Sequence, residues 1–154
     1  MMWTDSYVGR PHTPEFDCAE LCIEVERDHY GRSVSLPNRL FYEKGQNRNS
    51  DIKHVLSLFE PIEKPIDGDI VLMMSAKSLN HVGVYVVLNG KPYILHCIEN
   101  SGTVLQTVPN VSKYKLRIQG YYRLKDEAVE LKEELNNDAN SFTDRPHEES
   151  AISA

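Results

Sequence analysis

The feature that most constrains this chain is a change of periodicity, from helical spacing in its first half to alternation in its second. Five β-rich runs separated by turn signals occupy residues 66–74, 81–88, 91–99, 103–108 and 115–124. Between the second and third runs stands Asn89-Gly90, a pair typical of two-residue type I′ hairpins. Because parallel strands need a long crossover between them, runs this closely spaced predict an antiparallel meander.

The first half of the chain predicts helices. Asp17 followed three residues later by Glu20 has the form of a capping box, and apolar residues at helical spacing then continue until Gly31, which predicts a helix over about 18–30. A second helix is predicted over 51–60, after an Asn49-Ser50 cap. Its apolar face consists of Ile52, Val55, Leu56 and Phe59.

Helices followed by an antiparallel meander predict an α+β fold, with N-terminal helices packed on one side of a small antiparallel β-sheet. A chain of 154 residues with 40% hydrophobic residues has the size and composition of one globular domain. The composition changes sharply after residue 124. We therefore predict a folded domain over 1–125 and an acidic tail over 126–154, helical at first and then disordered.

The charge distribution disfavours several classes of partner. Residues 126–154 hold 9 acidic and 2 basic residues, so the first 125 residues hold 14 acids and 15 bases. A near-neutral body lacks the basic excess that binds nucleic acid. The longest aliphatic run, Ile70 to Met74, is far shorter than the roughly 20 residues of a membrane span, so no membrane insertion is expected. The N-terminal MMWTDSYVGR has no apolar stretch of signal-peptide type, which predicts a protein that is cytoplasmic at synthesis.

The hairpin at Asn89-Gly90 predicts that two histidines meet. If these two residues form the loop, Gly83 faces His96, and His81 lies on the same face as a diagonal neighbour of His96. Diagonal neighbours have backbones separated by about 7 Å, a distance that two imidazole rings can bridge. Cys97 points to the opposite face.

Cys18 occupies the position of a nucleophile. If Asp17 caps the helix, Cys18 is its first residue and lies among unpaired backbone N–H groups at the positive end of the helix dipole, which lowers the pKa of a thiol. Cys22, one turn later on the apolar face, is interpreted as core packing. A cysteine at a helix start with two histidines on one sheet face is the papain-like arrangement of a nucleophile, a base and a residue that orients the base.

A zinc site is the rival chemistry. The three cysteines do not indicate a disulfide framework, because no secretion signal accompanies them. The Cys18–Cys22 spacing lies within the range of zinc ligands, but no second close pair completes a structural site. We expect neither a metal nor a cofactor. The residues considered for zinc are Cys18, Cys22, His81, His96 and Cys97.

The order of these motifs resembles the NlpC family of cell-wall cysteine peptidases, in particular the branch found with bacteriophage tail tips. The resemblance covers about residues 3–124 and rests on YVGRP, FDCAEL, DGDIVLM, NHVGVYVV, ILHCIENSGTVL and GYYRL. It implies a papain-like NlpC-type fold over 1–125. It also implies that Cys18 is the nucleophile, His81 the general base and His96 the residue that orients His81.

The resemblance further implies the substrate and the partners. The usual target of the family is the stem peptide of peptidoglycan, commonly the bond between γ-D-glutamate and a diamino acid. Tail-associated members open the wall locally or take part in tail assembly, so phage tail proteins are the implied partners and a virion tail, or delivery to the wall, the implied location. Tyr7, His12 and Asp17 are the candidates for contacts with substrate or with the oxyanion.

A second hypothesis is a catalytically silent tail-assembly or interaction protein on the same scaffold. After Asp-Cys the family usually has Ser-Gly or Trp-Gly, whereas this chain has Ala19-Glu20. The acidic residues 126–154 suit docking on a basic partner.

Overall fold

The computed structural model describes residues 2–34, 36, 58–75 and 80–125. This part of the chain combines one α-helix with an antiparallel sheet, which confirms the predicted α+β class. The elements are a 3-10 helix (Trp3–Ser6), α1 (Cys18–Asp28), β1 (Phe59–Ile62), β2 (Ile70–Ser75), β3 (Asn80–Leu88), β4 (Lys91–Ile98), β5 (Gly102–Thr107), a second 3-10 helix (Val108–Tyr114) and β6 (Leu116–Leu124).

The strands form a single six-stranded sheet in the order β1-β6-β2-β3-β4-β5. All of its pairings are antiparallel. Between β2 and β6 the register shifts after Leu72, because Leu72 pairs with Gly120 and Met73 with Ile118, which leaves Gln119 as the extra residue of a bulge.

The hairpin between β3 and β4 has the predicted register. Leu88 pairs with Lys91, which leaves Asn89 and Gly90 as the two loop residues. Both have positive φ, 51° for Asn89 and 78° for Gly90, as a type I′ turn requires.

Two of the predicted elements differ from the structure. The second helix was predicted over 51–60, yet Phe59 and Glu60 belong to β1, where they pair with Leu124 and Arg123 of β6. Ladder pairing with β6 therefore overrides the helical pattern at this end, while residues 51–57 lie outside the described residues. The strand predicted from residue 66 begins at Ile70, because the Asp69 carboxylate accepts from the Ile66 backbone N–H at 2.8 Å and closes a turn.

The predicted boundary after residue 124 falls where the described chain ends. Contacts group Met1–Leu124 into one compact unit. The tail predicted over 126–154 lies outside the described residues.

Different elements cover the two faces of the sheet. Helix α1 packs against β3 and β4, and the Cys97 thiol donates to the Phe16 carbonyl at 3.7 Å, just before the helix begins. Since Cys97 and His96 are consecutive strand residues, α1 begins on the face opposite to His96. The second 3-10 helix covers the histidine face, and the core there consists of Val71, Met73, Ile94, Val111 and Leu116.

The two outer strands carry distinct features. At one side of the sheet, the backbone N–H of Gly9 donates to the Thr103 carbonyl, and the Thr103 N–H donates to the Arg10 carbonyl, each at 2.9 Å. At the other side, β1 contains Pro61.

A buried ion pair joins the start of β2 to β6. Both oxygens of Asp69, whose side chain is 0% exposed, accept from the Arg123 guanidinium at 2.8 Å. Among the residues that the structure describes, no helix is long and apolar enough to cross a membrane.

Candidate active site

The start of α1 is capped as the sequence predicts. The Asp17 side chain accepts from the backbone N–H of Glu20 at 2.9 Å and is 2% exposed. Cys18 is the first helical residue and is partly buried. The structure thus gives Asp17 a capping role that holds Cys18 in place.

Glu20 lies two residues beyond Cys18. Its pKa is raised by burial and then by the neighbouring carboxylates of Glu24 and Asp17. The burial of Glu20 and its two acidic neighbours thus disfavour the charged form of this carboxyl.

Cys22 and Cys97 have different environments from Cys18. All three cysteines are unbridged, and Cys22 and Cys97 are 0% and 1% exposed. Burial is the largest cause that raises the pKa of both thiols. The structure therefore supports the interpretation of Cys22 as core packing and gives Cys97 a similarly buried position.

The start of α1 and the histidine pair lie at the same end of the sheet. Because β3 and β4 are antiparallel, the start of β3 at Asn80 lies beside the end of β4 at Ile98. His81 is therefore near the end of β4 where Cys97 contacts the Phe16 carbonyl. His81 is partly buried.

The two histidines are in hydrogen-bond contact, which confirms their predicted proximity. His81 Nε2 and His96 Nδ1 are 2.9 Å apart, with ring centroids separated by 5.1 Å. A Cβ atom on residue 83 would lie 3.0 Å from the His96 Cβ, which is closer than an ordinary van der Waals contact. Glycine at position 83 therefore gives His96 the space that the register predicted.

His96 is fully buried and bonded at both ring nitrogens. Its Nε2 lies 2.7 Å from Oε1 of Gln106, and the Gln106 Nε2 donates to the Asn110 carbonyl at 3.1 Å. The Tyr114 ring packs edge-on against the imidazole, with centroids 6.3 Å apart. Burial lowers the pKa of His96 to about 4, although the Gln106 hydrogen bond acts in the opposite direction. His96 is therefore neutral near pH 7.

Gln106 was missed by sequence reasoning. It pairs with Ile94, which makes it the diagonal neighbour of His96 on β4. The sequence signal for the register of β5 is the short loop Glu99-Asn100-Ser101, which is followed by Gly102 with φ 79°. A three-residue hairpin loop of this kind would have set the register of β5.

A cleft of about 490 Å³ lies between the loop that precedes α1 and the β4–β5 loop. Its lining includes His12 and Thr13 on one side and Glu99 and Ser101 on the other. His12 thus lines open space, whereas Cys18, His81 and His96 are not among the residues that line this cleft.

Tyr7 lies toward the other end of α1. Its ring packs edge-on against Trp3, which stacks on His29 at 3.7 Å between centroids. Its pKa is raised by burial and then by Asp28 and Glu24. Of the two loop candidates for substrate contacts, the cleft contains His12.

The described residues contain no group of three or more histidine, cysteine or acidic side chains arranged to hold a metal ion. Of the residues considered for zinc, Cys97 points to the face opposite to His96. Comparison with models of known protein families and with curated proteins finds no match to this chain.

Proposed function

We propose that the protein is a cysteine peptidase of papain-like NlpC type that hydrolyses stem peptides of peptidoglycan. The observation that carries the proposal is the hydrogen-bonded His81–His96 pair, 2.9 Å apart, at the end of the sheet where α1 begins with Cys18. A nucleophile at a helix start and a base oriented by a third polar residue are the parts that acyl transfer by a thiol requires.

In the proposed reaction, the Cys18 thiolate attacks the amide carbonyl and forms a tetrahedral intermediate. The backbone N–H of Cys18 and a neighbouring donor stabilise the oxyanion. The protonated His81 then gives its proton to the leaving amine, which departs and leaves a thioester on Cys18. Water, deprotonated by His81, attacks the thioester and releases the acid product and the thiol.

The surroundings of the helix start suit a short charged peptide. The cleft between the loop that precedes α1 and the β4–β5 loop carries an imidazole, His12, and a carboxylate, Glu99. Stem peptides carry both carboxylates and an amine, so groups of both kinds have a partner there. The resemblance of the sequence to the NlpC family supports the γ-D-glutamyl-diamino acid bond as the target.

We further propose that the enzyme acts with a bacteriophage or prophage tail and opens the wall locally. The support is the resemblance to the tail-tip branch of the family. Phage tail proteins are the corresponding partners, and the virion tail or the cell wall the corresponding location.

The test is incubation of purified peptidoglycan and defined muropeptides with the reduced protein, followed by mass spectrometry of the products. We expect new peptide fragments from the parent protein and none from Cys18→Ala. Cys22→Ala is the matched control, because it removes a buried thiol that the mechanism does not use, and it should retain cleavage. No cleavage by the reduced parent across several wall types would contradict the proposal and favour the silent assembly protein.

A further inference from the structure

A chain of polar groups crosses the histidine face of three neighbouring strands. His81 on β3, His96 on β4 and Gln106 on β5 are successive diagonal neighbours, and the chain ends at the Asn110 carbonyl of the second 3-10 helix. We infer that Gln106 is a positioning residue that fixes which nitrogen carries the proton in both histidines. The inference deepens the proposed peptidase function and rests on it for its catalytic meaning.

The first step is the orientation of the Gln106 amide. A backbone carbonyl only accepts hydrogen bonds, so the group that lies 3.1 Å from the Asn110 oxygen must be the amide NH₂. This orientation turns Oε1 toward His96, at 2.7 Å from Nε2.

The second step concerns His96. Because the amide oxygen of Gln106 can only accept, His96 Nε2 must carry a hydrogen. The ring is 0% exposed, and its neutral form holds one ring proton. With that proton on Nε2, the Nδ1 atom has a lone pair and accepts a hydrogen bond.

The third step concerns His81. Its Nε2 lies 2.9 Å from this acceptor and must donate. Neutral His81 therefore carries its hydrogen on Nε2 and its lone pair on Nδ1. In the proposed reaction, Nδ1 takes the proton of the Cys18 thiol, which leaves a thiolate and an imidazolium, and later gives that proton to the leaving amine.

Removal of Gln106 takes away the acceptor that places the hydrogen of His96 on Nε2. The buried Nε2–H of His96 would lose its acceptor, and the alternative tautomer, with hydrogen on Nδ1, becomes competitive. His96 would then donate to His81 Nε2 and shift the hydrogen of neutral His81 to Nδ1. A neutral His81 in that form has no lone pair on Nδ1 with which to accept a proton from the Cys18 thiol.

The experiment is long-range ¹H–¹⁵N NMR of protein labelled in its histidines, which distinguishes the Nδ1–H and Nε2–H tautomers. We expect a hydrogen on Nε2 of both His81 and His96 in the parent protein at neutral pH, and none on Nδ1 of His96. In Gln106→Met, which removes the acceptor at similar size, we expect the His96 signal to move toward the Nδ1–H form. Gln106→Glu loses the donor to the Asn110 carbonyl but keeps an acceptor oxygen, so His96 should retain its hydrogen on Nε2.

The matched control is Gln119→Met, because Gln119 is an exposed glutamine on the strand β6. It should leave both tautomers and the reactivity of Cys18 unchanged. Alkylation of Cys18 by iodoacetamide at neutral pH should slow in Gln106→Met, at most by the roughly 10²–10⁴-fold that a proton-transfer group contributes. Circular dichroism checks that the variants are folded.

The outcomes separate this inference from the proposed function. An Nδ1–H tautomer of His96 in the parent protein, or tautomers and alkylation rates that Gln106→Met leaves unchanged, would overturn the role of Gln106 even if peptides are cleaved. The expected tautomers and their loss in Gln106→Met would support the role even if no muropeptide is cleaved, in which case the peptidase proposal alone fails.

Discussion

Gly83 lies directly against His96, so that a Cβ on residue 83 would come within 3.0 Å of the His96 Cβ. The same atom would also meet Ile94 Cγ2 and the Leu95 carbonyl oxygen at 3.0 Å. The position of His96 and its neighbours therefore depends on the absence of a side chain at residue 83.

Gly83→Ala should therefore destabilise the protein and disturb the histidine pair. Overpacking of this kind costs about 1–3 kcal/mol. Urea unfolding measures the cost, and the NMR signals of His96 report its displacement. Gly120→Ala is the control, because the nearest atom to a Cβ there is a Tyr122 side-chain atom at 3.5 Å. Equal losses for the two variants would contradict the close approach to His96.

Arg123→Met should strongly destabilise the fold. It removes the guanidinium that pairs with Asp69, whose side chain is 0% exposed, and a buried group that loses such a partner typically costs about 1–3 kcal/mol, or more when it is charged. Chemical denaturation measures the change in the free energy of unfolding. Arg117→Met on the same strand replaces an exposed arginine and should change stability by less than about 0.5 kcal/mol. A small effect of Arg123→Met would show that the pair contributes little.

Glu26→Gln should stabilise the protein at alkaline pH. Burial raises the pKa of Glu26 to about 8, so the folded state keeps a proton that the unfolded state loses above pH 4.5. The neutral carboxyl contributes fully to the free energy of unfolding below pH 4.5. This contribution falls by about 4 kcal/mol as the pH rises to 8. Glutamine resembles the neutral form and does not titrate. The stability of Glu26→Gln relative to the parent should therefore rise between pH 5 and pH 8, and a constant difference would contradict the raised pKa.

His96→Gln should change how the free energy of unfolding depends on pH between about 4 and 6.5. The pKa of His96 in the folded state is about 4, below the ordinary 6.5. Between these two values the unfolded state binds a proton at His96 and the folded state does not. The stability that neutral His96 provides is complete above pH 6.5 and falls by about 3 kcal/mol as the pH drops to 4. The advantage of the parent over His96→Gln should shrink across this range in thermal or urea unfolding. An advantage that does not vary with pH would show that His96 titrates normally.

The sequence predicted the part of the site that depends on a single short turn. Asn89-Gly90 restricts the β3–β4 loop to two residues, and continuation of that register places His81 near His96, where the two rings are in contact. The Asp17 cap is likewise local, since it involves a backbone N–H only three residues away.

Gln106 was not predictable in the same way. Its role depends on two registers in succession and on the 3-10 helix that supplies the Asn110 carbonyl. The strand at Phe59 was missed for a similar reason, because its partner β6 lies about sixty residues further along the chain. A pairing at such a distance leaves no periodic signal in the segment itself.

The two edge strands of the sheet, β1 and β5, affect whether copies of this chain can associate. An outer strand with unpaired N–H and carbonyl groups is a template on which a strand of another molecule can add. On β5, the backbone of Gly9 and Arg10 already occupies both groups of Thr103, and on β1, Pro61 has no N–H to offer. Each edge strand thus carries a feature that hinders edge-to-edge association. Removal of residues 1–10 would expose the backbone groups of Thr103 on β5 and favour aggregation there.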